Sequence, residues 1–189
     1  MSSKYSSLTI DLPSLDPPGT KRKLHRPFAL TNPRPRYDQV AGYLRAAEPF
    51  DVLPRTLIPT RRITFKPPIM HYGWMAPQDF LLDYARSHKL TRQWGRKLID
   101  AECIIRAVET IGKKCRGKVD DDGLVSLQIT LIGPDREREK AVISIYTNFD
   151  LNRRNLPSED TIERLRQAFG LEEPPKWYLD RFSWRWSYW

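Results

Sequence analysis

The chain has 189 residues and a mass of 22.2 kDa, enough for one ordinary domain with flanks and too little for a large multidomain machine. A composition 40% hydrophobic, 29% charged and 11% aromatic, with a mean hydropathy of -0.60, sets aside low-complexity and greasy chains and predicts solubility. Thirty-two Lys and Arg against twenty-three Asp and Glu leave a net charge of +9, which favours nucleic acid, an acidic protein or an anionic surface as partner.

Twelve of the sixteen prolines fall between Pro13 and Pro77. Over residues 1–35, Ser, Pro and basic residues with scattered aliphatics offer too little apolar surface to offset the entropy of ordering, so a disordered, basic, Pro-rich arm is expected. Residues 36–60 are expected as an extended Pro-rich segment with a short helix. Tyr37, Val40, Ala41, Leu44 and Ala47 have helical spacing, and Pro49, Pro54 and Pro59 then recur every five residues.

An α+β domain is expected over 61–172. Arg61 to Phe65 reads as an edge strand stopped by Pro67-Pro68. A helix over 77–88 follows, with Phe80, Leu81, Tyr84 and His88 on one face. The longest helix is expected over 92–115, capped by Thr91 and lined by Trp94, Leu98, Ala101, Ile105 and Val108, with Ile104, Ile111 and Cys115 widening the stripe. Lys113, Lys114 and Arg116 complement its negative end, and Gly117 stops it.

After Asp120-Asp121-Asp122-Gly123 the period changes to two. Strands at about 124–132 and 140–149 form a hairpin, and pairing Ile132 with Lys140 places Leu131 opposite Ala141, Ile129 opposite Ile143 and Leu127 opposite Ile145. Ser158 opens a last helix over 158–169, closed by Gly170-Leu171. Residues 173–189 form an aromatic tail. The fold class is therefore α+β: a small antiparallel sheet built on that hairpin, with three helices on one face.

The basic charge is uneven. Residues 61–118 hold 13 basic and 5 acidic residues, whereas residues 119–189 hold 10 and 13. Two clusters stand out as candidate polyanion contacts: Lys21, Arg22, Lys23 and Arg26 in the arm, and Arg92, Arg96 and Lys97 at the start of the long helix.

Chemistry-bearing motifs are sparse. The Asp120–Asp122 run lacks the alternating ligands and distant Glu of a calcium loop and is explained as a turn, so no metal is expected. Phosphate-cradling glycine loops are absent, and no cofactor is expected. His71 is the one weak catalytic candidate, a general base if Asp79 or Asp83 orients it; a hydrogen-bonded histidine sealing the core explains it as well. Cys103 and Cys115, about 18 Å apart on a helix, do not pair with each other.

The tail carries Trp177, Phe182, Trp184 and Trp186 interleaved with arginine. These are either anchors for a partner or aromatics folded back onto the domain, and docking is the expectation because so large an exposed patch invites aggregation. The outer hairpin face, with Val142, Ser144 and Tyr146, is uncharged, which implies cover. No run is long and apolar enough to span a bilayer and the start lacks a secretory centre, so an intracellular place is expected, cytoplasm or nucleus, with the Ser-rich start also compatible with mitochondria. The sequence thus points to a non-catalytic binding or assembly module engaging an acidic partner: RNA in a ribonucleoprotein ahead of DNA, or an acidic protein. A hydrolase or transferase around His71, and a structural subunit anchored by its tail, are the rivals.

Overall fold

The computed structural model describes residues 14–20, 22–31, 36–45, 47–60, 64–115, 126–130, 140–151 and 156–189. It is an α+β protein. In chain order it contains α1 (Tyr37–Arg45), a 3-10 turn (Arg55–Leu57), β1 (Phe65–Lys66), β2 (Met70–Met75), α2 (Gln78–Ser87), β3 (Arg92–Gln93), β4 (Arg96–Lys97), α3 (Asp100–Cys115), β5 (Ser126–Thr130), β6 (Lys140–Thr147), α4 (Glu159–Ala168), β7 (Lys176–Leu179) and β8 (Ser187–Tyr188).

The main sheet is antiparallel with the order β5-β6-β2-β7. Its hairpin has Thr130 opposite Lys140, Ile129 opposite Ala141 and Leu127 opposite Ile143. This register is displaced by two residues from the expected one. A two-residue slip keeps every side chain on its face, so periodicity alone does not distinguish the two pairings.

β2 reads in the sequence as a loop between prolines, and it is instead a central strand. Its neighbour β6 carries a bulge: Tyr72 pairs with Tyr146 but Gly73 pairs with Ser144, leaving Ile145 extra. The bulge carries Tyr146 to the core side, where its ring lies 5.0 Å from Tyr72 and 5.7 Å from Trp177. The uncharged outer face is therefore interrupted there. Val142, Ser144 and Tyr146 are all buried. At the bulge the strands crowd: a Cβ on Gly73 would stand 1.8 Å from the Ile143 carbonyl oxygen, so this position demands glycine.

Helices α2, α3 and α4 pack on the sheet, and Val40 and Leu44 of α1 with Leu53 and Leu57 add to the same core. Leu81 and Ala85 of α2, Cys103, Ile104, Ala107, Val108 and Ile111 of α3, and Leu165 of α4 with Phe169 beyond it join Met70, Trp74, Ile143 and Leu179. α4 behaves as its sequence requires, with Ser158 Oγ accepting from Thr161 N–H and Gly170 (φ 65) closing a Schellman end through Leu171 N–H to Arg166 O.

The long helix is shorter than expected. It starts at Asp100, and residues 92–97 form the two-stranded hairpin β3–β4. Trp94 is solvent-exposed at its tip, Ala101 and Ile105 are exposed, and the buried stripe runs through Ile104, Ala107, Val108 and Ile111. Counting Trp94 as helical rotates the expected stripe. Gly95 inside that stretch favours a turn over a helix interior.

Residues 14–20 and 22–31 of the expected arm make specific contacts with the domain. Leu15 is buried and bridges Leu53, with Leu53 N–H to Ser14 O at 2.8 Å and Asp16 N–H to Leu53 O at 3.0 Å. Phe28 is buried against Phe50, with ring centroids 4.7 Å apart. The aromatic tail locks both segments. Trp177 Nε1 donates to Ser14 O and Trp186 Nε1 to Phe28 O, each at 3.0 Å. Residues 1–13, 21 and 32–35 of the expected arm, and the Asp120–Gly123 turn, lie outside the described residues.

Candidate functional site

Two groups of side chains compete as the functional site, one buried and one exposed. On β2, alternation puts His71 on the sheet side opposite the core, beside Ser144 of β6. His71 Nε2 lies 3.0 Å from Asp180 Oδ2 and Nδ1 lies 3.1 Å from Ser144 Oγ. Nε2–H donates to the Asp180 carboxylate, and Nδ1 shares a hydrogen bond with the Ser144 hydroxyl whose direction follows the state of the ring. Burial alone would push the Asp180 carboxyl up. The hydrogen bond from His71, those from the Ser183 and Phe182 backbone N–H groups and the attraction of the ring outweigh that and hold it below the usual carboxylate range.

Asp79 and Asp83, the expected orienters of His71, do not play that part. Both are exposed on α2, and Asp83 pairs with Arg86 at 2.8 Å. The acid that orients His71 comes from position 180, 109 residues away. Nothing local in the sequence identifies it, nor Ser144. The series Ser144, His71, Asp180 has the order of a nucleophile, base and orienting acid. Yet Ser144 is 3% exposed and His71 5%, which matches a buried polar network whose groups satisfy one another.

The exposed group is β3–β4. Arg92 stands opposite Lys97 and Gln93 opposite Arg96. The connection is the two-residue turn Trp94-Gly95, with φ of 48 and 81, the primed hairpin geometry that matches strand twist. Trp94 is 97% exposed. Arg96 is held by Glu102 at 2.7 Å, whereas Arg92 and Lys97 have no salt bridge among the described residues. Arg106 of α3 reaches across, its Nη1 3.4 Å from Arg92 O. Leu98 N–H to Thr91 O closes the base of the hairpin at 2.9 Å.

The three basic residues Arg92, Arg96 and Lys97 are thus brought together on a hairpin rather than along a helix. Arg22, Lys23 and Arg26 are exposed on the N-terminal segment, with Arg22 Nη1 3.4 Å from Val52 O. Lys21 lies outside the described residues. Sequence reasoning misses Trp94 as a site residue, although the Trp-Gly pair flanked by cations is a signal for it.

Trp177, Trp184 and Trp186 of the tail are buried, and Phe182 is 75% exposed. An open cleft of about 460 Å³ lies elsewhere, lined by Tyr72, Glu159, Ile162, Glu163, Pro174 and Pro175 among others. Its sign is opposite to that of the hairpin. Hydrogen bonds from Arg166 and Gln167 pull the Glu163 carboxyl there down to about 2. Among the described residues no group of three or more His, Cys, Asp or Glu is placed to hold a metal ion, and no helix is long and apolar enough to cross a membrane. Comparison with protein-family models, with curated proteins and with solved structures returns no match.

Proposed function

We propose that this protein is a non-catalytic binding module that engages an acidic partner, nucleic acid or an acidic protein, through the β3–β4 hairpin. The observation that carries this reading is the placement of Arg92 directly opposite Lys97 on an exposed hairpin. Like charges at facing positions destabilise a strand pair. An anion between them turns that cost into attraction, and counterion release adds to it. Replacing Arg92 and Lys97 together by Gln should weaken binding of the full chain to heparin, used as a model polyanion, and flatten its dependence on salt. An unchanged salt slope would move the binding surface off the hairpin, with Arg22, Lys23 and Arg26 next to be replaced.

A second reading, a hydrolase using Ser144 with His71 and Asp180, draws on the 3.1 and 3.0 Å spacings. It ranks lower because an attacking hydroxyl needs a substrate atom within roughly 3–3.5 Å, and both Ser144 and His71 are covered. Labelling of Ser144 by a fluorophosphonate probe, lost in His71→Ala with the fold retained, would promote it. The third rival, a subunit held by its aromatic tail, loses support because Trp177, Trp184 and Trp186 are already packed within the chain.

A further inference from the structure

We infer that the hairpin takes a single-stranded nucleic acid, with one unpaired base stacked on the Trp94 indole and phosphates on either side neutralised by Arg92 and Lys97; this rests on the acidic-partner reading above and names the partner's class. Of the six tryptophans, Trp74, Trp177, Trp184 and Trp186 are buried and Trp189 is 58% exposed, whereas Trp94, at 97%, is exposed almost as fully as a free side chain. Its backbone lies in the left-handed region, φ 48, where the Cβ of an L-residue crowds the following carbonyl oxygen. Burial does not offset that strain, because almost none of the ring is buried. A strained aromatic held out to water is the kind of feature that persists where a ligand uses it.

The chemistry selects the partner. A carboxylate on an acidic protein satisfies Arg92 and Lys97 but gives the indole nothing to lie on. A nucleotide supplies a flat π-face and an anionic phosphate in every repeat, which is the combination the hairpin presents. A duplex does not meet it equally. Its bases are stacked on one another, and two residues per strand make a ribbon only about 7 Å long, too short to lie along a groove. The sheet is not the stacking platform either, since Tyr146 and Trp177 are buried in the core.

The test is titration of the full chain into dye-labelled rU15, dT15 and a 15-base-pair duplex over a range of salt. Trp94→Asn should lower affinity for the single strands roughly 5- to 150-fold, the range of one lost stack, with the salt slope unchanged, and Trp94→Phe should recover part of it. Arg92→Gln with Lys97→Gln should instead reduce the slope by about 0.7 for each phosphate no longer neutralised. The duplex should bind more weakly and ignore Trp94→Asn, and rU15 against dT15 separates RNA from DNA. Single-strand binding indifferent to Trp94→Asn yet weakened by the Gln pair overturns the stacking inference and leaves the acidic-partner reading standing. Tight heparin binding with no oligonucleotide binding overturns the inference in favour of an acidic protein. Indifference of both heparin and oligonucleotides to all these replacements overturns the inference and the reading together.

Discussion

Asn148 has no exposed surface, and both polar atoms of its side chain and its backbone N–H are used. Its Oδ1 accepts from Met70 N–H, its Nδ2 donates to Leu57 O and Pro68 O, and its own N–H meets Met70 O. One side chain thereby ties the Pro-rich segment to the start of β2 and the end of β6. His71 is satisfied in the same manner by Asp180 and Ser144. A buried polar group left unpaired costs about 1–3 kcal/mol, so these networks select one arrangement of strands. Asp180 makes the point measurable through pH. Its carboxyl is depressed in the folded protein, so its contribution is full above the unfolded carboxylate range and is lost as pH falls through the lower folded value. Asp180→Asn should lower the melting temperature at neutral pH, and the gap to the unaltered protein should shrink as pH falls through the depressed value. A gap constant down to strongly acid pH would contradict that account. His71 is visible in the sequence as a polar residue among aromatics; its partners are not, because a side chain's neighbours across a sheet depend on strand order rather than on adjacency in the chain.

Individual elements divide by how local their determinants are. α4 is written in a contiguous run: a Ser cap, acidic residues in the first turn, an apolar stripe and a glycine stop. The hairpin β5–β6 shows its period, and only its register escapes. β2 and β7 are hidden, β2 because prolines flank a mixed run and β7 because Pro174-Pro175 and four tryptophans resemble a tail. β3–β4 is absorbed into a helix by an accidental spacing between Trp94 and Leu98. The resulting turn is strained at one residue, which gives a prediction about stability alone. Asn is favoured at the first central position of this turn and Gly already fills the second. Trp94→Asn should therefore raise unfolding free energy by about 0.5–1 kcal/mol in chemical denaturation, since the indole packs on little within the chain. A loss of stability would show that Trp94 supports the fold after all.

On the scale of the molecule, the core is closed by residues far apart in sequence. Trp177 reaches Ser14 across 163 positions and Trp186 reaches Phe28 across 158, while Phe50 and Trp177 exchange backbone hydrogen bonds at 3.0 and 2.7 Å. Trp186→Ala should cost about 3–5 kcal/mol and speed proteolysis within residues 22–31, read by urea denaturation and by timed digestion. Unchanged values for both would mean that the N-terminal segment holds without the tail. The same wiring bears on synthesis. A ribosome releases Phe28 well before Trp186, and at 5–20 residues per second that interval is roughly 8–30 s. Throughout it the early aromatic and backbone groups face water with no native partner. Over that interval the nascent chain exposes the kind of apolar surface that holding chaperones bind, and an arrest of translation before residue 186 leaves this part of the core unclosed.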